Sequence, residues 1–105
     1  MRKLVLPTVI VLACAGVGFA ATTHVIKQGE KKFSEKKITV SVGDELQFVN
    51  EDKYVHNIHS TSDGYEFDLG AQQPGDTQSI AFDSPGKVKI RCAIHPKMKL
   101  TVTVE

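Results

Sequence analysis

Two separated segments of the chain carry side chains that together could hold a metal ion. Cys92, His95 and Met98 recur at three-residue spacing in one short stretch, and His56 lies far upstream. A thiolate, two imidazoles and a thioether are the donors of a trigonal copper site with a weak axial sulfur ligand. Soft sulfur ligands suit Cu(I), whereas imidazole suits both copper oxidation states. The four residues therefore predict a site for one copper ion per chain that cycles between Cu(II) and Cu(I).

Alternation of side chains places Cys92 on the interior side of a strand. Val88, Ile90 and Cys92 alternate with basic residues, and this period of two is typical of a half-buried strand. The thiol is therefore expected at the end of a row that faces the core. A loop follows, which Pro96 stiffens. Such a short loop can turn back and direct His95 toward the thiol.

The elements around this loop are also predicted to be short strands. Five runs are predicted to be strands, 38–42, 46–48, 55–60, 88–92 and 100–104, and in all except the third apolar residues alternate with polar ones. His56 lies at the edge of the third run. Turns are marked by Gly43-Asp44, Pro74-Gly75 and Pro85-Gly86, and no helical period is evident beyond the first 20 residues. Many short strands with regular turns predict an all-β sandwich or barrel. The bulky residues of its core are predicted to be Phe33, Phe48, Phe67 and Phe82.

The first 20 residues have the pattern of a secretory signal peptide. Met1-Arg2-Lys3 is basic, Leu4 to Ala15 is nearly all apolar, and small residues follow as far as Ala20. Cleavage after Ala20 would leave one domain, residues 21–105, in the periplasm or otherwise exported. Two other interpretations stay open. The uncharged run is just long enough for an uncleaved membrane anchor, and Cys14 lies in a loose lipoprotein cleavage box, so the protein would contact a membrane only if this segment is retained or lipidated.

Without this segment the chain is close to neutral. Of its 13 basic residues, Arg2 and Lys3 belong to the leader, which leaves 11 against 12 acidic residues. This balance argues against a nucleic-acid partner, which requires a basic face. Cys92 is then the only cysteine, and an unpaired thiol in an oxidising compartment needs a reason. Metal binding supplies one, and a buried inert thiol is the alternative.

The pattern C-x-x-H-x-x-M between two strands, with His56-Asn57-Ile58-His59 upstream, resembles the cupredoxins. Within these type 1 blue copper proteins it is most similar to amicyanin- and plastocyanin-like members, over about Ile38 to Glu105. The resemblance implies a Greek-key β-sandwich of about eight strands, with the four residues named above as ligands. It also implies that Asn57 ties the two ligand segments together beside the thiolate. Lys97 departs from the apolar loop of amicyanin-like proteins.

Two further histidines are predicted to stay outside the metal site. His59 follows His56 by three residues, so strand alternation points it to the opposite face. His24 lies near the start of the exported domain and is expected to be exposed to solvent. In an alternative, cleavage after Ala21 would place His24 third from a free amine, where it captures Cu(II) through backbone nitrogens.

The leading hypothesis is a soluble, monomeric electron carrier and not an enzyme. Its donor and acceptor would be redox proteins that dock transiently, such as a cytochrome, a dehydrogenase or a peroxidase. His95 is the expected exit for the electron, and Lys97 and Lys99 could steer an acidic partner. The alternatives are a copper carrier that delivers the metal without a redox role, and a metal-free immunoglobulin-like module. Zinc is disfavoured because thioether is not among its usual ligands.

Overall fold

The structure, a computed structural model, describes residues 21–105. The predicted signal segment and Cys14 lie outside the described residues. Within them the chain forms these strands: β1 (Thr23–Gly29), β2 (Lys32–Phe33), β3 (Lys37–Val40), β4 (Glu45–Asn50), β5 (His56–Ser62), β6 (Tyr65–Gln72), β7 (Thr77–Ala81), β8 (Gly86–Arg91) and β9 (Lys99–Val104). No helix in residues 21–105 has the length and apolar character needed to cross a membrane.

The nine strands form two sheets. One sheet has the order β2-β1-β4-β7, and the other has the order β3-β9-β8-β5-β6. Most neighbours are antiparallel, but β1 runs parallel to β4 and β3 runs parallel to β9. Parallel neighbours require crossovers between the sheets rather than hairpins. The predicted all-β sandwich is therefore confirmed, and its shortest strand, β2, has only two residues.

The core lies between the inward faces of the two sheets. Phe33, Phe48 and Phe82 are buried as predicted, whereas Phe67 is half-buried and packs against the edge of the core. The predicted strand 38–42 is too long at its end: β3 stops at Val40, and Val42 is 45% exposed. The chain turns there instead, because Gly43 has a φ of 98°, which favours glycine.

Strand β1 has no counterpart in the sequence prediction. Its inward side chains are Ile26 and the polar Gln28, both fully buried, while Val25 is 49% exposed. An apolar alternation is therefore missing from this segment. The strand is held instead by its parallel pairing with β4, from Thr23 opposite Glu45 to Gln28 opposite Asn50. Such pairing between distant segments leaves no local pattern.

Asp44 fastens the start of β1 to the turn before β4. Its carboxylate accepts hydrogen bonds from the ring Nε2 of His24 at 2.9 Å and from the backbone N–H groups of Thr22 at 3.1 Å and Ser41 at 2.9 Å. These bonds, with that of His24 the strongest influence, lower the pKa of Asp44 to about 2. The ring of His24 is thus hydrogen-bonded and only partly exposed, at 27%, whereas the sequence predicted a side chain exposed to solvent.

We expect Asp44→Asn to reduce the acid sensitivity of the copper-free protein. A carboxylate whose pKa falls on folding stabilises the folded state fully above its unfolded pKa, near 3.8. That stabilisation disappears as the pH falls toward about 2. Urea unfolding between these pH values should therefore show a steeper loss of stability in the wild type than in the variant. Asp83→Asn, at an exposed turn, is the matched control, and parallel curves for all three proteins would contradict the prediction.

Candidate metal centre

Three of the predicted ligands converge at one end of the sandwich. The Nδ1 atoms of His56 and His95 are 3.1 Å apart, and the Sγ of Cys92 lies 3.9 and 3.8 Å from them. Bonds of about 2.0–2.3 Å from one ion to nitrogen and sulfur place the ligand atoms roughly 3–4 Å apart. The spacing therefore fits a single ion shared by the three side chains.

Strand β8 delivers the thiol to this point. Cys92 follows the last residue of β8 and continues the buried row of Val88 and Ile90, as alternation predicted. It is fully buried and unpaired with another cysteine. The side chain is therefore withheld from solvent and from oxidative pairing, which suits a thiolate reserved for a metal.

The loop after Cys92 is closed by its own backbone. The N–H of Met98 donates to the carbonyl of His95 at 2.9 Å, and the N–H of Cys92 donates to the carbonyl of Met98 at 3.2 Å. These bonds bend residues 92–98 into a tight turn before β9. The side chain of Met98 is 2% exposed and belongs to the core, whereas His95 remains partly accessible.

Asp52 fixes the orientation of the other imidazole. His56 begins β5 and is fully buried, and its Nε2 lies 2.9 Å from the Oδ2 of Asp52. A carboxylate accepts only, so Nε2 carries the proton and the Nδ1 lone pair faces Cys92 and His95. A carboxylate on the far nitrogen is a common way to orient a metal-binding histidine and to raise its basicity.

The same carboxylate is anchored by two backbone groups. The N–H of Lys31 donates to Oδ2 at 2.8 Å, and the N–H of Lys53 donates to Oδ1 at 2.9 Å. Burial alone would raise the pKa of Asp52, but these bonds and the bond from His56 outweigh it and hold the pKa below its usual value. Asp52 is thus a charged group that joins the β1–β2 turn to the loop before β5. Lys53 and His56 are near it in sequence, but nothing in the residue spacing marks its contact with Lys31, which comes from a distant turn.

Asn57 joins the two ligand segments, as the resemblance implied. Its Oδ1 accepts a hydrogen bond from the N–H of Ala93 at 3.2 Å, directly after Cys92. Its Nδ2 donates to the Oδ1 of Asp68 at 2.8 Å and to the carbonyl of Gly70 at 3.1 Å. All polar atoms of the Asn57 side chain are therefore used, and the loop that carries the thiol is held to β5 and β6.

His95 is the only one of the three converging residues that reaches the surface. Burial, followed by the nearby His56 and Lys31, lowers the pKa of His95 and favours its neutral, metal-binding form. The ring of Tyr54 meets it edge-on at 6.1 Å between centroids. Beside it Ile94 is 51% exposed. The ring of His95 thus lies in a small apolar surface.

His59 lies outside the converging group. The pairing of β5 with β6 shifts register between Asn57 and His59, and His59 then stands opposite Asp68 and Arg91. Among the histidine, cysteine and carboxylate side chains of residues 21–105, the group that could share an ion consists of His56, Cys92 and His95. One thiolate and two imidazoles form a soft donor set, which suits copper.

Comparison with known proteins agrees with this chemistry. Residues 20–105 match the model of the copper binding proteins, plastocyanin/azurin family. The chain is 26% identical over 111 residues to the methylamine utilization protein MauL of Methylorubrum extorquens, which covers 96% of this chain and 97% of that protein. It is 30% identical over 83 residues to amicyanin-alpha of the same organism, covering 76% of this chain and 70% of that protein.

A solved structure of a reduced amicyanin variant has the same fold. It superposes with a TM-score of 0.74 over 85% of this chain and 88% of its own, at 24% identity. The sandwich, the converging ligands and the family match lead to one conclusion. The chain belongs to the plastocyanin/azurin family of copper-binding proteins.

Proposed function

We propose that this protein is an exported carrier of single electrons, in which His56, Cys92, His95 and Met98 hold one copper ion. Bound copper supplies the one-electron couple between Cu(II) and Cu(I). The observation that carries the proposal is the convergence of a buried thiol and two imidazoles on one point, with only the ring of His95 reaching the surface.

The role of the protein is to keep the donors still. The ring of His56 is held by Asp52, and the loop of Cys92 is held by Asn57 and by its own backbone. Full burial of His56 and Cys92 keeps water away from the site. Donors that are fixed and dry need little rearrangement when the charge of the site changes, which favours fast electron exchange.

Met98 is proposed as the fourth, axial donor. Its side chain is buried in the core, and its backbone closes the loop that also carries Cys92 and His95. A thioether at this position is a weak ligand, which influences the reduction potential more than the affinity for copper. It also speaks against zinc, whose sites are built from thiolate, imidazole and carboxylate.

The proposed partners are redox proteins that bind briefly and release. The apolar surface around His95 is small, as befits a transient contact. A cytochrome, a dehydrogenase and a peroxidase remain the partner classes, with the protein acting as a monomer and with no reaction of its own on a substrate. The predicted leader at residues 1–20 supports an exported, periplasmic location.

The test combines visible absorption and electron paramagnetic resonance on the copper-loaded protein. A type 1 site should give an intense thiolate-to-copper band and a narrow hyperfine splitting, and it should be reduced and reoxidised rapidly by a small redox protein. A tetragonal spectrum would contradict the proposed ligand set. Slow exchange, with ready loss of Cu(I) to a chelator, would favour a copper carrier without a redox role.

A further inference from the structure

Five lysines lie together beside the metal centre. A cleft of about 90 Å³ is lined by Lys31, Lys32, Lys36, Lys97 and Lys99, with Phe33 and Met98 at its base. We call these five lysines the basic surface. Lys31 and Lys97 also line the neighbouring depression formed by Ile94, His95 and Pro96. The basic surface is therefore continuous with the exposed edge of His95.

Lys31 links the basic surface directly to the surroundings of His95. Its Nζ lies 4.4 Å from the ring centroid of Tyr54, and that ring meets the ring of His95 at 6.1 Å between centroids. The backbone of Lys31 is held by Asp52, so the lysine cannot drift from the site without breaking that bond. A cationic side chain is thus fixed close to the expected exit for the electron.

These charges are concentrated, although residues 21–105 are nearly neutral. Five of the 11 basic residues in that range belong to the basic surface. Within the same range the one lysine in an ion pair is Lys27, which lies 3.7 Å from Glu51 and outside the basic surface. Three of the carboxylates, Asp63, Asp83 and Glu105, belong to turns or to the last residue at the opposite end of the sandwich.

Nearby carboxylates leave the basic surface largely uncompensated. The carboxylate of Asp52 is turned inward to His56 and is 6% exposed. Glu30 and Glu51 line two adjoining cavities that also include Lys31 or Lys32, so they offset part of the charge. Within residues 21–105, however, no carboxylate lines the cleft of the five lysines or the depression beside His95. Only Glu35, next to Lys36 in sequence, lies within the segment that carries the basic surface. The cleft and the depression beside His95 are therefore positively charged, although carboxylates lie nearby.

We propose that the basic surface is the docking face for an acidic region on a redox protein, an inference that rests on the proposed electron-carrier function. A field of one sign around the exit of the electron orients the encounter and raises the rate of association. Lysines that remain hydrated at the edge of an interface raise the rate of association more than the affinity. The basic surface can therefore orient a partner without forming a tight complex. The apolar surface around His95 then makes the brief contact.

The experiment compares two forms of one partner. Horse cytochrome c is basic, and its succinylated form is acidic with the same haem. Stopped-flow absorption should show that the copper-loaded protein exchanges electrons with the acidic form about tenfold faster at low ionic strength than in physiological salt. The basic form should show the opposite dependence on salt.

A pair of double variants locates the effect. Lys31→Gln/Lys97→Gln should slow exchange with succinylated cytochrome c about fivefold at low salt. Lys87→Gln/Lys89→Gln removes the same charge from strand β8. This control should change the rate of electron exchange with succinylated cytochrome c by less than about twofold. Both variants should retain the visible band, which shows that the metal centre is intact.

The remaining outcomes separate this proposal from the proposed function. Fast exchange that does not depend on salt or on Lys31 and Lys97 would overturn the docking face alone. No exchange with either cytochrome, in protein that retains the band, would overturn the electron-carrier function and the docking face with it. Binding to phosphatidylglycerol vesicles that requires the two lysines, without any effect on exchange, would assign the surface to an anionic membrane instead.

Discussion

Replacing Cys92 with serine should abolish the intense visible band of the copper-loaded protein. The band requires a thiolate donor, and a serine hydroxyl is a harder ligand that stays protonated at neutral pH. The side chain is fully buried, so no other sulfur can take its place from solvent. The absorption should be lost entirely, and any Cu(II) that still binds should give a tetragonal spectrum in electron paramagnetic resonance.

Two variants of the same loop serve as controls for Cys92→Ser. Met98→Leu conserves side-chain volume and removes the thioether, so it should keep the band and shift the reduction potential. Ala93→Ser alters an exposed side chain beside the thiol and should change neither. A band that persists in Cys92→Ser would mean that another donor is the source of the colour, and the ligand set proposed here would be wrong.

Replacing Asp52 with asparagine should weaken Cu(II) binding about 10- to 100-fold, the usual cost of losing the partner of a ligating histidine. The amide oxygen can still accept from His56 and Lys31, but the negative charge is lost and the backbone N–H of Lys53 meets an NH₂ group. Cu(II) carries more charge than Cu(I), so the oxidised state loses more. The reduction potential should rise by about 60 mV for each factor of ten by which the Cu(II) affinity falls further than the Cu(I) affinity.

Cyclic voltammetry and competition with a Cu(II) chelator measure these two effects of Asp52→Asn. The matched control is Asp63→Asn, which removes the same charge from an exposed turn at the opposite end of the sandwich. An equal shift in potential in both variants would show that only net charge matters. An unchanged potential in Asp52→Asn would show that the carboxylate does not influence the metal centre through His56.

The parts of the centre that the sequence predicts are those with local causes. Cys92, His95 and Met98 lie within one loop, so their spacing alone shows that they can approach one another. The inward direction of Cys92 follows from alternation along β8, which the structure confirms. His56 could be assigned to the edge of a strand because the polar loop 50–53 ends just before it.

The features that the sequence does not predict depend on contacts between distant segments. Strand β1 is stabilised by parallel pairing with β4 rather than by its own apolar pattern. Asp52 looks like any polar loop residue, although His56 is only four residues away, and the bond that anchors it appears only when the distant Lys31 is brought to it. The bond between His24 and Asp44 is of the same kind. Periodicity describes which face a residue occupies, but not which side chain it will meet there.

The turn between β1 and β2 has one more consequence. Glu30 and Lys31 both adopt positive φ, 52° and 59°, as a two-residue hairpin turn requires. This left-handed backbone presents the amide of Lys31 to the same oxygen that holds His56. The tip of this hairpin, through Asp52 and His56, is thereby expected to influence the reduction potential of the metal centre. A longer turn, or a turn of another type, between β1 and β2 would therefore shift the reduction potential although every metal ligand stays the same.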